Sequence, residues 1–131
     1  MTAIIRDPKQ LNPFTEALWI KQEGIIIIYN LPFRLFETFR THERQVELLN
    51  SNPPVTWTQH SKHEDGDAWD VAKNNIDGWS WKEEDIFWYQ VLGILTINLI
   101  SGLRWGADWN GKNFWFDERT RDYGHYERIE K

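Results

Sequence analysis

The chain has 131 residues, with 15 Lys and Arg against 20 Asp and Glu, giving a formal net charge of -5. Ordinary shares of hydrophobic (40%) and charged (27%) residues exclude disordered and collagen-like chains, and one core serving about 100–200 residues predicts a single domain over 1–131. The acidic balance argues against nucleic acid as a partner, because a phosphate backbone calls for a basic face, and the absence of cysteine excludes disulfides, thiolate-bound zinc and a thiol nucleophile.

In chain order, Asn12-Pro13 caps and starts a helix that carries Phe14, Ala17, Leu18 and Lys21 at helical spacing and stops at Gly24. Ile25 to Tyr29 is a β-branched run that predicts a buried strand. Asn30 to Pro32 turns the chain, and Arg34 to Phe39 predicts a second strand. Thr41 caps a helix over His42 to Leu49, which Asn50 to Pro54 breaks. Val55 to Asp67 is polar and loop-like, and Ala68 to Ala72 predicts a short strand.

Ser80 and Glu83 form a capping-box pattern, with Glu84 and Asp85 on the positive end of the helix dipole. That helix runs to about Ser101, and Gly102 stops it. Ile86, Phe87, Val91, Leu92, Ile94, Leu95 and Leu99 make it apolar nearly all round, so it is expected to be the central buried helix. Leu103 to Glu130, rich in Trp, Gly and Asp, predicts strands and loops. Helices and strands in this order indicate an α+β fold.

The run Val91 to Ile100 is broken by Gly93, Thr96 and Asn98 and falls short of the ~20 apolar residues of a spanning helix, so no membrane insertion is expected. Met1 to Asp7 has no apolar stretch after a basic start, which predicts a protein made in the cytosol and kept there unless released. Nine Trp suggest either core packing or a surface for stacking sugars or peptides.

The histidines are His42, His60, His63 and His125. Without thiols, zinc must be held by imidazole nitrogens and carboxylate oxygens, and a hydrolytic site takes three protein ligands. His63, Asp70 and His125 can supply such a set. Gly66 lets the loop turn between the first two, and the apolar strand around Ala68 and Val71 holds Asp70 rigidly. On spacing alone this is a weak signal, and a surface histidine near an acid is the commoner reading.

The pattern Ser61-x-His63-x-x-Gly66-x-Ala68-x-Asp70-Val71 resembles the signature of the M15 family of zinc peptidases. These include D-alanyl-D-alanine carboxypeptidases and dipeptidases, and the L-alanyl-D-glutamate endopeptidases found as phage endolysins. Thr38-Phe39-Arg40-Thr41-x-x-Arg44-Gln45 resembles the family's upstream segment. Gly102-Leu103-x-Trp105-Gly106-Ala107-Asp108-Trp109 and Asp122-x-x-His125-Tyr126-Glu127 resemble two stretches of the endolysin branch. Ala107 stands where a second Gly is common, Gly124 where Pro is frequent, and Tyr126 where Phe is usual.

The resemblance implies a small antiparallel sheet with packed helices. It implies zinc held by His63, Asp70 and His125, Asp122 as general base, and Arg40 as a substrate or transition-state contact. It places Ser61 beside the metal, with Gln45 and Trp109 as candidate substrate contacts. The implied substrate is the peptidoglycan stem peptide, cut at the L-alanyl-D-glutamate bond by a monomer that reaches the wall through a holin-like pore. D-alanyl-D-alanine cleavage and a non-catalytic wall-binding module are the alternatives.

Structural roles compete at several positions. Arg40 can pair with Glu37 or Glu43 at the surface, and Ser61 can cap the loop through its hydroxyl. Gln45 can simply face solvent. Trp105 and Trp109 either wall the cleft or pack in the core. Glu64, Asp65 and Asp67 are expected to be a solvated acidic loop rather than a second cation site.

Overall fold

Asn12 opens the first helix by accepting hydrogen bonds from the backbone N–H groups of Phe14 and Thr15. Pro13 takes the first helical position, where its missing N–H costs nothing. This helix, α1 (Pro13–Ile28), continues through Gly24, so the stop at Gly24 and the strand at Ile25 to Tyr29 do not form. Ile25 and Ile26 are buried while Ile27 and Ile28 are exposed, the pattern of a helix face rather than of strand alternation. Core packing here outweighs β-branched propensity, and extending an existing helix is easy. The chain turns out of α1 at Asn30, which sits at φ 51.

The computed structural model describes residues 2–51, 61–75, 78–107 and 122–129. Five strands form one antiparallel sheet: β1 (Phe33–Glu37), β2 (Ala68–Asn75), β3 (Gly78–Ser80), β4 (Leu103–Trp105) and β5 (His125–Arg128). The order is β1-β2-β5-β4, with β3 also paired to β2. β2 runs three residues past the predicted end at Ala72, and β3 lies where the sequence signals a helix start.

Two further helices are α2 (His42–Leu49) and α3 (Ile86–Leu99). Thr41 caps α2 as expected, its side chain accepting from Arg44 N–H at 3.2 Å. The capping box at Ser80 does not form. Ser80 belongs to β3 and its hydroxyl donates to Asp85 Oδ2, while a 3-10 turn over Glu83–Asp85 leads into α3. α3 is also not buried all round. It buries Tyr89, Leu92, Gly93 and Thr96, and exposes Phe87, Ile94 and Leu99. Only one side of it meets the sheet.

The core lies between the helices and one face of the sheet. Trp19 of α1 meets Trp69 of β2 edge to face with centroids 6.1 Å apart, and Trp69 stacks on Tyr126 of β5 at 5.9 Å. Gln22 crosses this apolar layer, accepting from Trp69 Nε1 at 2.8 Å and donating to Thr96 Oγ1 at 3.0 Å. Gly93 lets α3 approach β4 so closely that a Cβ there would overlap the Trp105 indole. Because strand side chains alternate, Trp69 and Val71 enter this core and Asp70, Ala72 and Asn74 take the other face.

Candidate metal centre

Strand register assembles the site. Asp70 of β2 pairs with His125 of β5 on one side and with Glu37 of β1 on the other. Three strands thus place three polar side chains in one row across the sheet. His63 joins them from a 3-10 turn (Lys62–Asp65) that precedes β2. Ser61 caps that turn, its hydroxyl accepting from His63 N–H while Glu64 accepts from Ser61 N–H. Gly66 closes the turn at φ 72, a left-handed conformation, as expected from its place between His63 and Asp70.

His63 Nε2 lies 3.3 Å from Asp70 Oδ1, and His125 Nδ1 lies 3.0 Å from the same oxygen. All three donor atoms lie within 4.8 Å of one another. Two bonds of about 2.1 Å meeting at a tetrahedral angle would hold ligand atoms roughly 3.4 Å apart, so the set fits zinc. The other ring nitrogens are anchored. His63 Nδ1 faces the Thr38 carbonyl at 2.8 Å, and His125 Nε2 faces Glu127 Oε1 at 3.0 Å. With both rings neutral, donation to those partners would leave the lone pairs of His63 Nε2 and His125 Nδ1 directed inward. His63 Nε2 is buried and makes no hydrogen bond, as expected of a metal donor.

Electrostatics within these side chains are strong. Burial opposes ionisation of Asp70, but the His63 charge and the His125 hydrogen bond outweigh it and hold the carboxyl well below its usual range. Burial would lower His125, yet hydrogen bonds to Asp70 and Glu127 push it up to about 10. Metal binding must therefore displace a proton held by this histidine. Glu127 also resists burial and stays low, through its hydrogen bond to His125 and then the His125 charge. Lys62 Nζ at 3.9 Å and Arg104 at 3.7 Å add positive charge around it.

Asp122 opens the turn into β5, its carbonyl accepting from His125 N–H at 3.1 Å. The residue is exposed. The protein around its carboxyl, followed by the Asp70 charge, raises its pKa above the ordinary aspartate range. His125, His63 and Arg40 pull in the opposite direction. Asp122 thus lies close enough to these four groups to feel their charges. Gly106 allows this turn to pack, because a Cβ there would overlap the Asp122 carbonyl.

Arg40 is buried and pairs with Glu37, as one structural reading expected, but beneath the surface rather than on it. It donates to Glu37 through Nε at 3.2 Å and Nη2 at 2.8 Å, and to Gln45 Oε1 through Nη1 at 2.8 Å. Its Nη2 also stands 3.7 Å from Asp70 Oδ2. Arg44 contacts Glu37 Oε2 at 2.5 Å, so one buried carboxylate orients two arginines. Gln45 is fully buried and meets the site through Arg40.

Glu37, Thr38 and Glu127 carry supporting roles that the sequence pattern does not announce. Trp105 is core, fully buried with its Nε1 donating to the Tyr123 carbonyl at 2.8 Å. The acidic loop is solvated only in part: Asp65 is exposed as expected, whereas Glu64 and Asp67 are tied into the fold. Asp67 Oδ1 accepts from Asn12, Thr15 and Arg128, and Glu64 meets His42 and Ser61. His60, Asp108 and Trp109 lie outside the described residues.

The sequence model of phage L-alanyl-D-glutamate peptidases matches residues 5–129. Among solved structures, the L-Ala D-Glu endopeptidase ChiX of Serratia marcescens superposes with a TM-score of 0.64 at 20% identity, over 93% of this chain and 83% of that one. No curated protein sequence matches the chain.

Proposed function

The chain belongs to the phage L-alanyl-D-glutamate peptidase family, and from that premise we propose that it is a zinc endopeptidase cutting the L-alanyl-D-glutamate bond of the peptidoglycan stem. The observation that carries the reading is the convergence of His63, Asp70 and His125 donor atoms within 4.8 Å, with a buried imidazole nitrogen left for a ligand. Zinc held by this set supplies Lewis acidity for a carbonyl and for water.

The chain's own residues supply the rest. Asp122 takes a proton from the attacking water and passes it to the leaving amine, and its raised pKa suits both transfers. Arg40 is held by Glu37 and Gln45, which fixes its guanidinium beside Asp70. From there it steadies the ligand carboxylate and adds positive charge where an oxyanion develops. Thr38 and Glu127 set the ring orientations of His63 and His125. Ser61 contributes by capping the ligand turn.

No helix among the described residues is long and apolar enough to cross a membrane. A holin-like pore is the proposed route to the wall, and a monomer is the proposed working unit. Digestion of purified peptidoglycan, with mass spectrometry of the products, tests the reading. New termini at L-alanine and D-glutamate should vanish with chelator and return with zinc. A folded, zinc-loaded protein that cuts nothing would overturn it.

A further inference from the structure

We propose that Phe36, Trp79 and Trp81 form a stacking subsite for the sugar ring to which the stem peptide is attached. This rests on the endopeptidase reading and locates a further part of the same substrate. Trp79 is 36% exposed and Trp81 is 55% exposed, large apolar surfaces to leave in water. Both rings are held in place. Phe36 packs edge to face against Trp79 at 5.3 Å and against Trp81 at 4.9 Å. The Arg6 guanidinium sits 5.0 Å over Phe36 and 5.4 Å over Trp79. Rings ordered in advance lose little freedom when a ligand arrives.

Their position selects the occupant. Trp79 pairs with Asn74 across the β2–β3 ladder, and Asn74 shares its sheet face with Asp70. The two are four positions apart along the strand, about 13 Å. Phe36 adjoins Glu37, which pairs with Asp70 directly. The aromatic cluster therefore lies on the metal-bearing face, whereas α1 and α3 carry their exposed apolar residues on the other side of the sheet.

In peptidoglycan, the L-alanine of the stem is joined through a lactyl group to a sugar. A ring thus lies on the order of 10 Å from the bond to be cut, the reach of two to three extended residues. A pyranose offers an apolar C–H face to an indole, and Arg6 offers donors to the hydroxyl and amide carbonyl oxygens around it.

Two substrates test the subsite: a stem peptide bearing its N-acetylglucosamine–N-acetylmuramic acid disaccharide, and the same peptide without it. The protein should cleave the sugar-bearing form about tenfold more efficiently, chiefly through KM, and Trp81→Ala should abolish that preference while keeping sugar-free cleavage within about twofold. Equal loss on both substrates, or no change on either, would overturn the proposal. The peptide-free disaccharide, titrated into zinc-loaded protein, supplies an arm that needs no turnover. Shifts of the Trp79 and Trp81 indole N–H signals, absent for Trp105, are expected, and unmoved indoles would overturn the subsite. If neither peptide is cut, the endopeptidase reading fails and the indole shifts alone decide the stacking surface.

Discussion

The role proposed for Asp122 is in turnover and not in metal binding. It is exposed and is not one of the three converging donors. Asp122→Ala should therefore lower kcat/KM by about 10²–10⁴, the usual contribution of a general base, while zinc content measured by metal analysis stays unchanged. The raised pKa fixes the sign of the pH dependence. The carboxyl must be ionised to take a proton, so activity falls as pH drops through a value above the ordinary ~3.9 of aspartate. A kcat/KM profile whose acid limb lies at or below that value would contradict the assignment. The role proposed for Glu127 is toward the metal, through His125, rather than toward the substrate. Glu127→Gln should weaken zinc binding by roughly 10- to 100-fold in a chelator competition, the usual cost of losing an outer partner to a ligand histidine. The convergence of His63, Asp70 and His125 was legible through motif resemblance, and the same resemblance is the source of the role proposed for Asp122. Glu127 stood in the motif without a role, because its contact with His125 Nε2 is made by side chains two residues apart on one strand face. Thr38 contributes a carbonyl, which no side-chain pattern can reveal.

The segment from β1 into α2 is organised by one buried charge. Glu37 is 2% exposed and meets both Arg40 and Arg44. Burial raises its pKa, but the hydrogen bonds from Arg44 and Arg40 prevail and hold it low. A carboxyl lowered on folding stabilises fully above its unfolded pKa of ~4.3 and loses that contribution as pH falls through the folded value. Chemical unfolding should therefore show a steeper acid loss of stability in the native chain than in Glu37→Gln. At neutral pH the substitution should cost about 3–5 kcal/mol if the arginines remain buried without their partner. The contact between α3 and β4 is limited by size instead. Gly93→Ala should lower stability by about 1–3 kcal/mol, since its methyl group needs room held by the Trp105 ring. Thermal unfolding with native-like circular dichroism below the transition checks this. Local chemistry made α2 legible, because Thr41 signals its own cap. The same approach failed at Ile25–Ile28, where a β-branched run belongs to a helix whose neighbours decide its state. It failed again at Ser80, whose hydroxyl bonds Asp85 rather than a helix terminus.

Distant segments are tied together around the sheet, so a metal held by the triad would be a structural component as well as a chemical one. Asp67 Oδ1 joins Asn12 and Thr15 at the start of α1 to Arg128 in β5. Four residues earlier, His63 comes from the same turn, while Asp70 and His125 come from β2 and β5. A zinc ion on those three donors would clip the turn, a central strand and the last strand into one unit. The α+β class was legible from the order of helices and strands, and the antiparallel sheet from family resemblance. The strand order was not, because β5 enters the sheet between β2 and β4 through register set by distant sequence. Binding that favours the folded state stabilises it by mass action, about 4 kcal/mol when free zinc exceeds Kd a thousandfold. Chelation should then lower the unfolding temperature by roughly 10 °C or more, and returned zinc should restore it. Asp122→Ala should show the same shift, because its missing carboxylate is not a ligand, whereas Asp70→Ala should show none. A native chain whose unfolding ignores chelator would remove zinc from this triad, and with it the proposed chemistry.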